Sequence, residues 1–575
     1  MNRSGAAAAH VLAGVSACAV AVQAVLCQAA GDPMAFWETV SWSASNNIAQ
    51  AVSFEGRPGR ELLEVVKIGN ANGDSYQDIL VRVSQTNYAL ILGGNRPKKM
   101  FTSAMDIDSP GIVQCWFATS DTSGGPYLMR AAALGDIDKD GFDDFFMVGS
   151  NSPQGGGNSY KWKYIIFGRR NWPSGTYDLN IPSSATPKEH LELHNFVGGQ
   201  LDSNITRGGD YAAALGDIDN DGVADMALAL PAASYYMHGV WHDNSFQIRF
   251  YRGNTNRTAI LCYARDQLDI PWGAFDKIWQ GCTGGYYNRI LMSDLDGDGR
   301  KELLLLSQGN FPIWVWKPSN FRNLGPTPGQ DTPKDPSEWP GGFLVTEGVH
   351  AGETNDLLTA DCCLDIAGFG PDLLVTCGDV DGDGKENVIF SSWQYSGWSA
   401  GNVVIVTNFS GAALSGGATN WITLGAGTNW IHRWTKLEGD GWYWGGHGLA
   451  YLGDLNRDGI GDVLVDDRLG DFGHNNGYTA GGIRFIGGSS SGWSTTTRLQ
   501  LPLIFWGEHD DNGYTKLGDG LAYPIVDISG FGKEQEPGFA VMAPYWDPDG
   551  TTNAYGKLYL VCPFAQAKGT FIVVR

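Results

Sequence analysis

Carboxylates recur along this chain at a fixed spacing. In LGDIDKDGFDDFFMVG, residues 134–149, Asp136, Asp138, Asp140 and Asp144 take positions 1, 3, 5 and 9 of a short turn, with Gly141 at position 6 and an apolar run behind. Acids at alternate positions of a turning backbone bring their oxygens to one point, the donor set that a hard cation such as Ca²⁺ requires. Glycine at position 6 permits the bend that returns the later ligands to that point. The pattern returns with Asp217, Asp219, Asp221 and Asp225, then with Asp294, Asp296, Asp298 and Glu302. It continues with Asp379, Asp381, Asp383 and Asn387, and with Asp454, Asn456, Asp458 and Asp462. An amide-rich first copy carries Asn70, Asn72, Asp74 and Asp78, with Ser75 in place of the glycine; a worn last copy keeps Asp527 but has Ser529, Phe531 and Gln535. Like charges packed this closely repel unless a cation lies among them. Five to six of the loops are therefore expected to hold structural Ca²⁺, and the last to be empty.

Asp-x-Asp-x-Asp-Gly also opens the helix–loop–helix calcium site, which needs a bidentate Glu at position 12 and flanking helices. Position 12 here is Met147, Leu305 or Phe390. Each lies in a short continuous apolar run of the kind expected for a buried strand, so that alternative fails. Runs of this type follow the loops at residues 145–148, 226–230, 303–306, 388–390 and 463–465. Others precede them at 131–134, 212–215 and 449–452, and a later one closes each unit, as at 164–167, 247–251, 402–406, 482–486 and 557–561. Clusters of Gly, Ser, Asn and Pro separate the runs.

The loops span 70–78, 136–144, 217–225, 294–302, 379–387, 454–462 and 527–535. Their spacing gives a unit of about 76 residues with about four strands and one acidic loop between the first two. Such a unit is the size of a propeller blade, and seven lie within the usual range. The spacing predicts an all-β, seven-bladed β-propeller over residues 31–575, with the two chain ends sharing one blade and no room for a separate catalytic domain.

The composition agrees with strands and turns: 79 glycines, 12% aromatics and 43% hydrophobic residues in a chain of 575. A net charge of −23 argues against nucleic-acid partners, whose phosphates would be repelled; solubility and dense cation sites account for it equally well. Residues 1–30 combine Arg3, an Ala-rich apolar stretch and small residues before Gly31, the pattern of a secretory signal cleaved near Ala30. An uncleaved anchor, which about twenty apolar residues would allow, is the competing reading and the only membrane link expected. Seven cysteines remain after the leader, an odd number; Cys262 with Cys282, and Cys377 with Cys362 or Cys363, are the local pairings to test. Asn204, Asn256 and Asn408 begin glycosylation tripeptides.

The loop with its flanks resembles the FG-GAP (VCBS-type) repeat of integrin α-subunit propellers. Residues 445–482 carry it most clearly, with GGHGLA ahead of GDLNRDGIGDVLVDD; Ala543-Pro544 behind the last copy is similar to the family's terminal motif. The resemblance implies a further ligand at position 7, the backbone carbonyls of Tyr76, Phe142, Val223, Arg300, Lys385 and Ile460. The leg domains and membrane span of integrin α chains have no counterpart in this sequence, so integrin signalling is not implied.

The expectation for function is a secreted or cell-surface recognition module for a protein or glycan ligand, with contacts on the loop-rich face. Trp241, Trp316, Trp393, Trp398, Trp430, Trp434, Trp442, Trp444 and Trp546 suit such contacts, although packing between blades is the competing use. A polysaccharide lyase or hydrolase of propeller fold is the alternative. It would need a convergent acid/base set, whereas His194, His238, His242, His350, His432, His447, His474 and His509 are scattered without catalytic spacing. No catalytic residue is assigned.

Overall fold

The computed structural model describes residues 51–94, 104–118, 127–150, 161–179, 188–193, 196–197, 200–201, 211–218, 221–237, 240–260, 267–270, 289–306, 313–316, 321–323, 343–345, 362–365, 372–393, 402–407, 421–423, 431–435, 445–456, 458–467, 482–493, 503–506, 525–531, 537–543 and 555–561. The expected leader, the tripeptides at Asn204 and Asn408, and Cys262, Cys282 and Cys562 lie outside them. The chain is all-β; among the described residues the single helical element is a 3₁₀ turn, Arg257–Ala259.

Each acidic loop joins two antiparallel strands. Sheet I holds Leu62–Gly69, Asp78–Val83, Asn87–Ile91 and Cys115–Ala118, and sheet II holds Tyr127–Gly135, Asp144–Ser150, Lys161–Ile166 and His190–Glu192. Sheet III is Tyr211–Gly216, Asp225–Met237, Val240–Tyr251 and Gln267–Ile270; sheet IV is Arg289–Ser293, Glu302–Leu306, Ile313–Trp316 and Cys362–Asp365. Sheet V is Asp372–Gly378, Asn387–Trp393, Asn402–Val406 and Ile431–Thr435. Sheet VI is Gly445–Gly453, Asp462–Asp467, Gly482–Ile486 and Leu503–Trp506. Sheet VII joins the two ends of the described residues: Ile525–Asp527, Phe539–Ala543 and Lys557–Val561 are followed by Ala51–Glu55, which pairs antiparallel with the last, Ala51 opposite Val561 and Glu55 opposite Lys557.

The apolar runs behind the loops are continuous because both faces of each sheet are covered. In sheet II, Phe145 and Met147 pack with Leu80, Leu90 and Phe117 of sheet I. The alternate residues Phe146 and Val148 pack with Met226, Leu228 and Tyr251 of sheet III. Period-two alternation of side chains thus serves two cores at once. The same sharing joins V with VI, VI with VII, and VII with I. The first strand of each sheet lies against the first strand of the next, and the order of contacts returns from VII to I.

Three sheets gain a further strand that the sequence did not announce. Gly175–Asp178 pairs parallel with Cys115–Ala118, Ala104–Asp106 with Ala51–Glu55, and Trp421–Thr423 with Cys362–Asp365. In each case a segment of the following unit covers the outer edge of the preceding sheet, which would otherwise present unpaired backbone groups.

Two expectations about side chains are corrected. Trp316 is buried, so it packs rather than presenting a binding surface. Cys377 is a free thiol, not a partner of Cys362 or Cys363, and burial pushes its pKa up to about 12.

Candidate metal centres

The loops share one hydrogen-bond plan, and it explains the spacing of their residues. The position 1 carboxylate accepts two backbone N–H groups of its own turn: Asp136 from Asp140 and Gly141, Asp217 from Asp221 and Gly222, Asp454 from Asp458 and Gly459, all at 2.8–3.0 Å. Asp294 and Asp379 accept instead from the two glycines of each DGDG turn, at 2.7–3.0 Å. Position 5 accepts from the N–H of position 7: Asp74, Asp140, Asp221, Asp298, Asp383 and Asp458 take Tyr76, Phe142, Val223, Arg300, Lys385 and Ile460 at 2.8–3.0 Å. Short Asx-type bonds of this kind hold a turn without a ladder.

Position 6 needs the left-handed conformation. Gly141, Gly222, Gly299, Gly384 and Gly459 have φ of 84–92°, and in the first copy Ser75 adopts φ 77° with a side chain. A Cβ in that region is penalised.

Position 9 is buried and bolts the loop to the strands. Its oxygen accepts from the N–H of position 2 in each copy from the first to the sixth: Ala71 to Asp78, Ile137 to Asp144, Ile218 to Asp225, Leu295 to Glu302, Val380 to Asn387 and Leu455 to Asp462, at 2.8–3.0 Å. In four copies the other oxygen accepts from a glycine just past the third strand: Gly93, Gly168, Gly253 and Gly488, at 2.8–3.0 Å. Burial pushes Asp78 up to about 7 and Asp462 up to about 8, and holds Asp144 well above the usual carboxylate range; the N–H donors work against the shift and neighbouring carboxylates add to it.

Consecutive loops are also stitched to one another. The N–H of position 8 reaches the carbonyl of position 1 in the preceding loop: Asp143 to Asn70, Glu386 to Asp294 and Gly461 to Asp379, at 2.9–3.1 Å. A second bond runs from beyond the third strand to the position 2 carbonyl: Arg169 to Ala71, Asn254 to Ile137 and Ser489 to Val380, each 2.9 Å. The first loop reaches the last through the equivalent donors but later acceptors, the carbonyls of positions 4 and 5: Gln77 to Gly530 and Gly94 to Phe531.

Three loops bring acidic oxygens within 4.8 Å of one another: Asp136, Asp138 and Asp144; Asp294, Asp296 and Glu302; Asp379, Asp381 and Asp383. Ligands on one Ca²⁺, at 2.3–2.6 Å from it, lie within about 5 Å of each other, and oxygen-only donors suit a hard cation. The residues of the Asp294 and Asp379 loops fit such an ion. At the latter, burial pushes Asp381 up to about 6, and the adjacent Asp383 and Asp379 add to that.

The Asp136 loop is different. Arg257 forms ion pairs with Asp138 and, at 2.6 Å, with Asp140, while donating to the Lys188 carbonyl and lying 4.4 Å from the centre of the Phe167 ring. Burial pushes Asp138 up to about 6 even with that guanidinium opposing it. The amide-bearing copies also supply a donor of their own, since Nδ2 of Asn72 reaches Asp74 and Nδ2 of Asn456 reaches Asp458, both 2.9 Å. In the last copy Asp527 is paired with Lys67 at 2.7 Å. Asp219 lies outside the described residues.

Arg257 and Lys67 carried no signal in the sequence, because each acts on a loop more than a hundred residues away. A third grouping is local in sequence but has no recognisable motif: Tyr177 joins Nδ1 of His190 at 2.7 Å and Glu189 at 3.2 Å, with Arg169 paired to Glu189 at 2.7 Å. Those groups hold one another and the outer edge of sheet II. No family model matches the chain, and no curated protein matches it in sequence.

Proposed function

We propose that the chain is a seven-bladed β-propeller of the FG-GAP type, secreted or held at the cell surface, that recognises a protein or glycan ligand and uses Ca²⁺ as a structural clasp. The observation that carries the fold is the succession of seven sheets, each touching the next through its first strand, with the first and last described strands paired in the seventh. The loop plan supports a structural role for the acids. Their oxygens hold backbone N–H groups of their own turns in copy after copy, which positions a loop rather than a substrate.

Asp294, Asp296, Asp298 and Glu302, and Asp379, Asp381, Asp383 and Asn387, are the side chains that would hold the ion. Bound there, Ca²⁺ supplies positive charge that offsets the repulsion among them. Sites of this type outside cells bind with Kd on the order of 10⁻⁴–10⁻³ M. Among the described residues, no particular group favours the lyase or hydrolase alternative.

The test has two arms. Thermal melts should fall in EGTA and recover with Ca²⁺; a melting temperature indifferent to both would sink the clasp. Glycan and surface-protein arrays, run beside activity screens on polysaccharides, should yield binding without turnover. Turnover would displace the recognition role.

A further inference from the structure

We infer that Arg257 is the resident cation of the Asp136–Asp144 loop, a guanidinium standing where the ion stands in the loops of sheets IV and V, so that this loop takes no Ca²⁺. This rests on the calcium reading of those other loops.

The placement of Arg257 is built into the fold. Its turn follows the third strand of sheet III and is anchored to the loop itself, since the Asn254 N–H donates to the Ile137 carbonyl at 2.9 Å. Within the turn, Asn254 accepts from the Asn256 N–H at 2.9 Å, and Asn256 accepts from Oγ1 of Thr258 at 2.9 Å. The guanidinium is then clamped from three sides: the Asp138 and Asp140 carboxylates, the Lys188 carbonyl two residues ahead of the outer strand of sheet II, and the face of Phe167. A planar fork of fixed donors suits two adjacent carboxylates in a way that an ammonium does not. Arg257 is 8% exposed and Asp138 4% exposed, so an ion entering here would have to displace a buried, satisfied cation.

The corresponding turns elsewhere carry other side chains. The turn that reaches the first loop sends Nε1 of Trp172 to the Ala71 carbonyl, and the one at Ser489 ends in Trp493, bonded to Gly487. The last loop repeats the principle with a different residue. Lys67, from the first strand of sheet I, reaches back to Asp527. In both cases the basic group comes from the next sheet along, so the neutralising charge also joins two units.

The experiment counts bound ions by equilibrium dialysis at about 5 mM Ca²⁺, well above the expected Kd. It compares the wild-type chain with three variants: Asp138→Asn/Asp140→Asn, Arg257→Gln and Asp379→Asn/Asp381→Asn. The first variant should bind as many ions as wild type. Arg257→Gln should gain one, with a melting temperature below wild type in EDTA that Ca²⁺ raises more than it raises wild type. Loss of one ion on Asp138→Asn/Asp140→Asn would overturn the inference, as would Arg257→Gln that neither gains an ion nor responds more strongly to Ca²⁺. Arg257→Lys replaces the glutamine variant if that fails to fold; its single ammonium should leave the pair half-neutralised and give a Ca²⁺ response between wild type and an emptied loop, and a response equal to wild type would count against the need for the fork. Asp379→Asn/Asp381→Asn reports separately on the calcium reading, which fails if no ion is lost there.

Discussion

The loops at Asp136–Asp144 and Asp379–Asn387 read almost alike as strings, GDIDKDGFDD against GDVDGDGKEN, yet their charges are balanced differently. The first has four carboxylates at positions 1, 3, 5 and 9, with a buried arginine between two of them. In the second, three carboxylates converge, and the neighbours that act on Asp381 are other acids and a backbone N–H. What the two share is the frame: a position 1 acid capping its turn, a left-handed glycine at position 6, and a position 9 side chain bolting position 2. The frame is thus common property, and the counter-charge is a local choice. Loops of one hydrogen-bonded frame can differ in the charge that sits among their acids.

The largest effect should come from the shared frame. Asp144→Ala removes the acceptor of two buried N–H groups, Ile137 and Gly168, while Asn387→Ala removes the acceptor of one, Val380. With about 1–3 kcal/mol for each buried donor left unpaired, urea unfolding should show a loss of about 2–6 kcal/mol for the first and about half that for the second. Equal losses would mean that the Gly168 bond contributes nothing.

Next comes the difference between the loops. For Kd on the order of 10⁻⁴–10⁻³ M, a site in about 10 mM Ca²⁺ gains about 1.5–3 kcal/mol by mass action. Asp379→Asn should remove that increment from the Ca²⁺-dependent part of the unfolding free energy. Asp138→Asn should leave the Ca²⁺-dependent part as it was while lowering stability in EDTA. Identical behaviour of the two variants would erase the distinction drawn here.

The smallest effect tests the frame in the first copy. Ser75 is exposed and held at φ 77°, where the equivalent residues are glycine. Ser75→Gly should raise stability by about 1 kcal/mol, because a side chain in the left-handed region costs about 1–2 kcal/mol and the glycine's extra freedom when unfolded returns part of it. A destabilised variant would mean that the hydroxyl has a partner worth more than the strain.

Much of the loop was legible because its reasons are local. Alternate acids, the glycine at position 6 and the apolar run behind act over about ten residues, and a backbone turn leaves them few other arrangements. The strand after each loop could be found by the same means, as could the exclusion of a helix at Met147, Leu305 and Phe390. The role of position 9 was only half visible. The spacing marks it as a candidate ligand, and the structure makes it the acceptor of a backbone bond that closes the turn from within and, at Asp78, Asp144, Asp225 and Asp462, of a second from a glycine 15–28 residues further on. The parallel strands at Gly175–Asp178, Ala104–Asp106 and Trp421–Thr423 gave no warning, because their pairing partner belongs to the preceding unit.

By itself, then, the sequence determined the unit: its strands, its turn and the convergence of its acids, all consequences of short-range backbone geometry and of side chains alternating between two buried faces. Tertiary structure decided which charge sits among those acids. Arg257 lies 119 residues from Asp138, and Lys67 lies 460 from Asp527. Electrostatic attraction acts through space, so only the packing of one sheet against the next brings a guanidinium or an ammonium to the carboxylates it neutralises.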